Sequence, residues 1–234
     1  MFIPPQLPEL WPFETRCIQR EQHPIDNAVL LGFSGDWRVI GTIDSYDSPE
    51  TKRLDGLFGR GGLIQVGDLI LRPYRRGGWV RYLNKNIYLT AGRFKAEYDV
   101  HTALWDAGLP TVEPLGYAYR RRSWGVEGVF ITRRADSIPW PKMWGNVDCD
   151  SQAAQIAQLI KSLSIWGLWA PDLNATNFIV TPNGQILALD WDKASWTPKS
   201  DLLKNYWERL ERSMCKLNAP AALIDLLRNN LTPN

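Results

Sequence analysis

Cysteine is scarce: Cys17, Cys149 and Cys215 are three in 234 residues, widely separated and odd in number. That excludes a disulfide framework and a cysteine metal cage, and it suits a reducing compartment. Long apolar runs are missing as well, so no membrane span is expected. The first twenty residues scatter Glu9, Glu14, Arg16 and Arg20 among prolines, which is not the charged start and apolar stretch of a signal peptide. The formal net charge is only +2, so no global field marks a nucleic-acid protein. No internal repeat, low-complexity tract or segment demanding an obligate protein partner is found. Between Arg53 and Asn84 there is no lysine, so any strand cation in that stretch must be arginine.

What is present is enough chain for a sizeable core, as one two-lobed domain or two small ones. Arginine is clustered. Arg72, Arg75, Arg76 and Arg81 crowd one segment with Lys85, and Arg120, Arg121, Arg122, Arg133 and Arg134 form two further groups that read as local anion sites or solvated faces. Twelve tryptophans divide between core and, for exposed ones, a bilayer interface that favours an amphipathic ring.

The most informative stretch is Pro171-Asp172-Leu173-Asn174-Ala175-Thr176-Asn177, followed by Asp190-Trp191-Asp192. Phosphoryl transfer from ATP asks a protein for positioning and charge neutralisation. One carboxylate meets the acceptor hydroxyl, a second grips magnesium on the phosphates, and an amide oxygen holds the metal without adding charge. Phe178-Ile179-Val180 reads as a strand, Thr181-Pro182-Asn183-Gly184 as a turn and Gln185 to Leu189 as the return strand. The spacing thus predicts a hairpin that clusters Asp172, Asn177 and Asp190. A lone D-x-x-x-x-N would ordinarily be loop chemistry; three ordered polar residues around an apolar hairpin point instead to catalysis, with Asp172 catalytic and Asn177 and Asp190 as metal ligands.

Upstream, residues 1 to about 30 are Pro-rich and weakly patterned, Trp37 to Ile40 reads as an early strand, and Ser45 to Asp55 as polar and turn-like. Gly59, Gly61 and Gly62 lie between the apolar runs Leu57-Phe58 and Leu63 to Val66, and Gly67-Asp68 turns the chain into Leu69-Ile70-Leu71-Arg72. This predicts the nucleotide-covering sheet of a kinase amino-terminal lobe, its glycines letting backbone amides approach phosphate oxygens. Kinases place a cation on the third strand and an acid on the following helix. Arg72 takes the first position by default. Phe94, Tyr98, His101 and Trp105 form a helical stripe over Arg93 to Ala107, which sets Glu97 beside the apolar face, where pairing with Arg72 relieves its burial. His101 reads as a satisfied helix residue.

Glu127 to Thr132 reads as a buried strand, residues 132 to 140 as the connection between lobes, and Ser151 to Ile165 as a helix leading to the Asp172 loop. The residues from Lys193 onward suffice for two helices, about Ser200 to Leu217 and Pro220 to Asn229, and leave no room for a protein-substrate platform. The acceptor is therefore expected to be a small molecule or glycolipid. The fold class is α+β: a two-lobed protein-kinase-like fold with an antiparallel-sheet N-lobe and a reduced, mainly helical C-lobe. Residues 1–50 are an extension packing on or leading into the N-lobe, 51–135 the N-lobe and 136–234 the C-lobe.

With these residues in view, the chain resembles the lipopolysaccharide core kinases, most closely the 3-deoxy-D-manno-octulosonic acid (Kdo) kinases, over about residues 55 to 195. The resemblance rests on Leu71-Arg72-Pro73-Tyr74-Arg75-Arg76-Gly77-Gly78, on Arg93-Phe94-Lys95-Ala96-Glu97, on Ala107 to Pro114, and on Asp172 to Asn177 with Asp190-Trp191-Asp192. It implies magnesium, ATP and phosphorylation of the 4-hydroxyl of Kdo on a lipid A precursor, by a peripheral enzyme on the cytoplasmic side of the inner membrane. Arg75, Arg76 and Arg81 would then bind lipid A phosphates or the Kdo carboxylate and attract the enzyme to an anionic membrane surface. The family pattern has a His two residues before the catalytic Asp, where this chain has Ala170; that departure predicts a looser loop. Two readings compete: a kinase-like nucleotide or lipid binding protein without turnover, and a kinase of another core sugar such as heptose.

Overall fold

The computed structural model describes residues 3–9, 11–16, 23–25, 37–41, 51–54, 62–75, 87–145, 149–198 and 200–232, with backbone alone for 23–25 and 51–54. It divides into a sheet unit, Cys17–Thr102 with Glu113–Arg134, and a mainly helical unit, Met1–Arg16 with Ala103–Val112 and Ala135–Asn234.

In the sheet unit, seven strands pair antiparallel throughout. They are β1 (His23–Ile25), β2 (Arg38–Gly41), β3 (Thr51–Leu54), β4 (Leu63–Val66), β5 (Leu69–Pro73), β6 (Pro114–Arg122) and β7 (Gly125–Arg133), in the order β1-β2-β6-β7-β5-β4-β3. Gly67, at φ +56°, opens the tight turn between β4 and β5, a conformation that a Cβ disfavours. The two-residue period of a strand then sorts side chains by face. Leu69 and Leu71 of β5 and Val129 and Ile131 of β7 pack with Trp37, Val39, Val66, Leu115 and Ala118 in one core. Phe130 points the other way and packs with Tyr74, Tyr88, Phe94, Tyr98, Tyr117 and Val126. Phe94 and Tyr98 come from helix α1 (Gly92–Asp106), so this second core is where the helix meets the sheet.

The helical unit contains α2 (Cys149–Ile165), α3 (Leu202–Lys216) and α4 (Ala221–Leu231). Its short strands are β8 (Ile138–Pro139), β9 (Leu168–Trp169), β10 (Phe178–Val180), β11 (Ile186–Ala188) and β12 (Ser195–Trp196). They form a three-stranded sheet β11-β10-β8 and a pair β12-β9. This sheet unit, helix and hairpin-bearing helical unit form the α+β, two-lobed protein-kinase-like architecture.

Several elements differ from the sequence expectation. Ser45 to Asp55, expected as a polar turn, includes β3, whose Thr51-Lys52-Arg53-Leu54 carries too little apolar character to signal an edge strand. Residues 132–140 are not a plain connection: β7 runs on to Arg133, and Ile138 and Pro139 pair with Val180 and Ile179. Strand β6 has no counterpart in the sequence expectation, because the arginines at its end mask its strand character. Its arginines bond across the hairpin, Arg120 to Glu127 and Arg122 Nη2 to Glu127 at 3.0 Å, while Arg133 meets Asp68 at 2.5 Å and Glu113 at 2.7 Å. Arg120, Arg122 and Arg133, expected as part of local anion sites or solvated faces, are thus engaged by carboxylates of the same unit, and hydrogen bonding to Glu113 raises the Arg133 pKa above its usual value.

The first residues do not belong with the N-lobe. Residues up to Arg16 fall in the helical unit: the Trp11 indole donates to Ala107 O at 2.6 Å, the Trp166 indole to Pro5 O at 3.1 Å, and the Arg16 amide to Asp106 O at 2.7 Å. Aromatic contacts Trp11–Phe13 and Trp11–Trp166, with centroids 5.4 and 5.1 Å apart, hold the segment down. Proline and tryptophan without periodicity give no strand or helix signal, so their partner is visible only in three dimensions.

Candidate active site

The loop after β9 is built on backbone carbonyls. Asn174 Nδ2 donates to Asp172 O at 2.7 Å and Asn177 Nδ2 to the same carbonyl at 2.9 Å. Asn174 Oδ1 accepts from the Thr176 amide at 3.0 Å and its hydroxyl at 2.7 Å, capping the single 3₁₀ turn Ala175–Asn177. The chain then enters the antiparallel hairpin β10–β11, in which Phe178 faces Ala188 and Val180 faces Ile186. Gln155 of α2 clasps the far end, accepting from the Ile186 amide at 2.8 Å and donating to Gly184 O at 3.1 Å. At the near end the Leu189 amide donates to Asn177 O at 2.8 Å. The Asn177 side-chain bond to Asp172 O and the Leu189 backbone bond to Asn177 O therefore bring Asp172, Asn177 and the residue before Asp190 together.

Asp190 sits at φ +64°, a left-handed position that Asp tolerates better than most residues. The following Trp191 is fully buried, and its indole donates to Thr111 Oγ1 at 2.9 Å. Thr111 in turn donates to Ala188 O at 2.7 Å, and the Ala188 amide donates to Pro110 O at 2.9 Å. The Leu109 to Val112 segment thus pins the exit of the hairpin on which Asp190 is carried.

Helix α3 supports the same loop with a polar stripe. At positions i, i+3 and i+7 it presents Tyr206, Arg209 and Ser213. The Tyr206 hydroxyl accepts from the Ala170 amide at 2.8 Å and donates to Leu168 O at 2.9 Å. Arg209 Nη2 donates to Asp172 Oδ1 at 3.3 Å, and Ser213 Oγ accepts from the Ala175 amide at 2.9 Å. Lys193 Nζ donates to the other Asp172 oxygen at 2.9 Å. Sequence reasoning missed all four. The available signal was polar residues at helical spacing beside the buried stripe Leu202, Tyr206, Leu210 and Met214. Burial raises the Tyr206 pKa far above that of a free phenol. The Tyr206 hydroxyl thus braces the loop at Ala170.

In the sheet unit, Arg72 lies on β5 directly opposite Phe130, hence on the face that receives α1. Its guanidinium carbon is 5.6 Å from the Phe130 ring centroid and 5.4 Å from that of Tyr74. There it forms an ion pair with Glu97, whose side chain is 1 % exposed against 30 % for Arg72. His101, one turn on, stacks on Phe130 at an interplanar angle of 4°. Gly62 precedes β4; Gly59, Gly61, Arg76 and Arg81 lie outside the described residues. Leu54 pairs with Leu63, so the glycine segment links β3 to β4. Arg75 is exposed just after β5.

A family model described as the lipopolysaccharide kinase (Kdo/WaaP) family matches residues 42–229. The chain belongs to this family. A 3-deoxy-D-manno-octulosonic acid kinase of Xylella fastidiosa (strain M12) is 28% identical over 170 residues, 70% of this chain and 68% of that protein. One of Xanthomonas oryzae pv. oryzae (strain PXO99A) is 30% identical over 178 residues, 68% of each. Among solved structures, WbdD gives a TM-score of 0.48 at 12% identity, covering 82% of this chain and 48% of that chain. Membership of the Kdo/WaaP family carries a general lipopolysaccharide-core kinase activity and implies ATP and magnesium.

The donor set fits magnesium: Asp190 offers a carboxylate and Asn177 an amide oxygen, both hard ligands. The Asn177 Nδ2 bond to Asp172 O fixes the amide plane. Among the described residues, no group of three or more His, Cys, Asp and Glu side chains forms a metal cage, and a carboxylate–amide pair of this kind needs none. Among the same residues no helix is long and apolar enough to cross a membrane.

Proposed function

We propose that the protein transfers the γ-phosphoryl group of ATP to the 4-hydroxyl of a Kdo sugar on a lipid A precursor, as a peripheral protein on the cytoplasmic face of the inner membrane. The observation that carries this reading is the set of bonds gathering Asp172, Asn177 and the Asp190 turn at one end of a hairpin. The Kdo kinase names of the Xylella and Xanthomonas relatives support the choice of sugar.

Asp172 orients the acceptor hydroxyl and takes its proton as the oxygen–phosphorus bond forms and the bond to ADP breaks. Asn177 and Asp190 would hold magnesium, which would supply positive charge to offset that of the ATP phosphates. Arg72, fixed by Glu97, neutralises phosphate charge, and the Gly59, Gly61 and Gly62 segment covers the nucleotide. Arg75, Arg76 and Arg81 meet the lipid A phosphates and the anionic leaflet.

The test is to incubate the protein with ATP, magnesium and a panel of Kdo- and heptose-bearing lipid A acceptors and to locate the new phosphate by mass spectrometry. Phosphate at the Kdo 4-position is expected. Phosphate on heptose would move the assignment to another core sugar. Magnesium-dependent nucleotide binding without consumption would make the protein a kinase-like binder.

A further inference from the structure

The Asp172 carboxylate does not stand alone: Lys193 Nζ lies 2.9 Å from one oxygen and Arg209 Nη2 3.3 Å from the other. The two cations outnumber the acid they share. Arg209 is carried on α3 and its side chain is 34% exposed; Lys193 is 56% exposed. Lys193 owes its place to backbone geometry. It adopts φ +64°, as Asp190 does, and the Ala194 amide closes the turn on Trp191 O at 3.0 Å. A non-glycine residue at positive φ is uncommon and lysine has no special tolerance for it, so a buried tryptophan and two left-handed residues together return a lysine to Asp172.

We propose that Lys193 and Arg209 form the subsite that receives the carboxylate of the acceptor sugar. The inference rests on the Kdo reading above and deepens it, since it concerns how the same site selects its acceptor. An alcohol approaching Asp172 must enter beside these two side chains. An ammonium has three donors and a guanidinium five, and Asp172 takes one from each. A sugar that carries a carboxylate near its reacting hydroxyl therefore meets donors already gathered there, and its own charge offsets the excess. A neutral sugar offers those donors only hydroxyl and ring oxygens, with no charge to offset the excess. The pair thus favours an acidic sugar by attraction, while Asp172 keeps the hydroxyl end.

The experiment compares a Kdo-bearing lipid A acceptor with its carboxyl methyl ester, in the wild type and in Lys193→Gln, Arg209→Gln, the double variant of these two and Lys193→Arg. The wild type is expected to use the acid at least about tenfold more efficiently than the ester, chiefly through KM for the acceptor. In Lys193→Gln and in Arg209→Gln the preference for the acid should narrow, in the double variant acid and ester should be used equally well, KM for ATP should not move, and Lys193→Arg should keep the preference. Discrimination undiminished in Lys193→Gln or surviving in the double variant, or a loss that falls on KM for ATP, overturns the subsite. Equal use of acid and ester by the wild type overturns it too and leaves the Kdo reading standing. No transfer by the wild type to either acceptor overturns both.

Discussion

The Tyr206 hydroxyl bridges the Ala170 amide and the Leu168 carbonyl, 2.8 and 2.9 Å away, two and four residues before Asp172. Helix α3 thereby holds the candidate catalytic loop from outside its own sequence. Tyr206 is 1% exposed, so Tyr206→Phe strands two backbone groups away from water. A loss of about 1–3 kcal/mol in stability is expected, with a fall in kcat and little change in nucleotide affinity. Thermal unfolding and steady-state kinetics check both.

The same hydroxyl sets an alkaline limit. Burial raises the Tyr206 pKa above the ordinary 10.0, so the folded state keeps a proton that the unfolded chain gives up. Its contribution is full below about pH 10 and is lost as pH rises toward the folded value. Stability measured from pH 9 upward should decline less steeply in Tyr206→Phe than in the wild type.

Asp172→Ala should lower phosphoryl transfer by at least about a hundredfold and leave ATP binding intact. Transfer at the wild-type rate would remove Asp172 from its proposed role. Calorimetric titration of ATP beside the transfer assay separates the two effects.

Arg72→Met removes the guanidinium from its ion pair with the buried Glu97. Because Arg72 is itself 30% exposed, the expected cost is about 2 kcal/mol, below that of a fully buried pair. Arg72→Lys should recover most of the stability. If Arg72 also serves phosphate, KM for ATP rises in Arg72→Met and recovers in part in Arg72→Lys.

Gly128→Ala tests how α1 is seated. A Cβ there would come within 2.4 Å of the Phe94 ring, and Phe94 is fully buried. About 1–3 kcal/mol of destabilisation is expected. Since Glu97 is one turn along α1 from Phe94, KM for ATP should rise as well, while a substitution at exposed Trp124 should move neither.

How much of this was legible beforehand follows from the range of each signal. Helices α1 to α4 and the β10–β11 hairpin lie close to their expected positions, because their apolar periodicity and turn residues are local. The Arg72–Glu97 pair was also legible, as a strand cation and a helix acid that each needed a partner. The edge strand β3 and the two-residue β8 carry no period to detect, and β6 was hidden by its arginines. The docking of residues 3–16 rests on indole bonds to backbone carbonyls such as Ala107 O, and no spacing rule encodes those.

The order Asp172, Asn177, Asp190, with an apolar hairpin between, is a property of the chain itself: local turn chemistry and alternation mark where the hairpin forms and which ends it returns together. What surrounds Asp172 is not. Tyr206, Arg209 and Ser213 meet the loop only because α3 packs there with Leu202, Leu210 and Met214 buried, and Lys193 does so only because Trp191 is anchored to Thr111. Those contacts join residues far apart along the chain, so burial in three dimensions, and not sequence spacing, selects them.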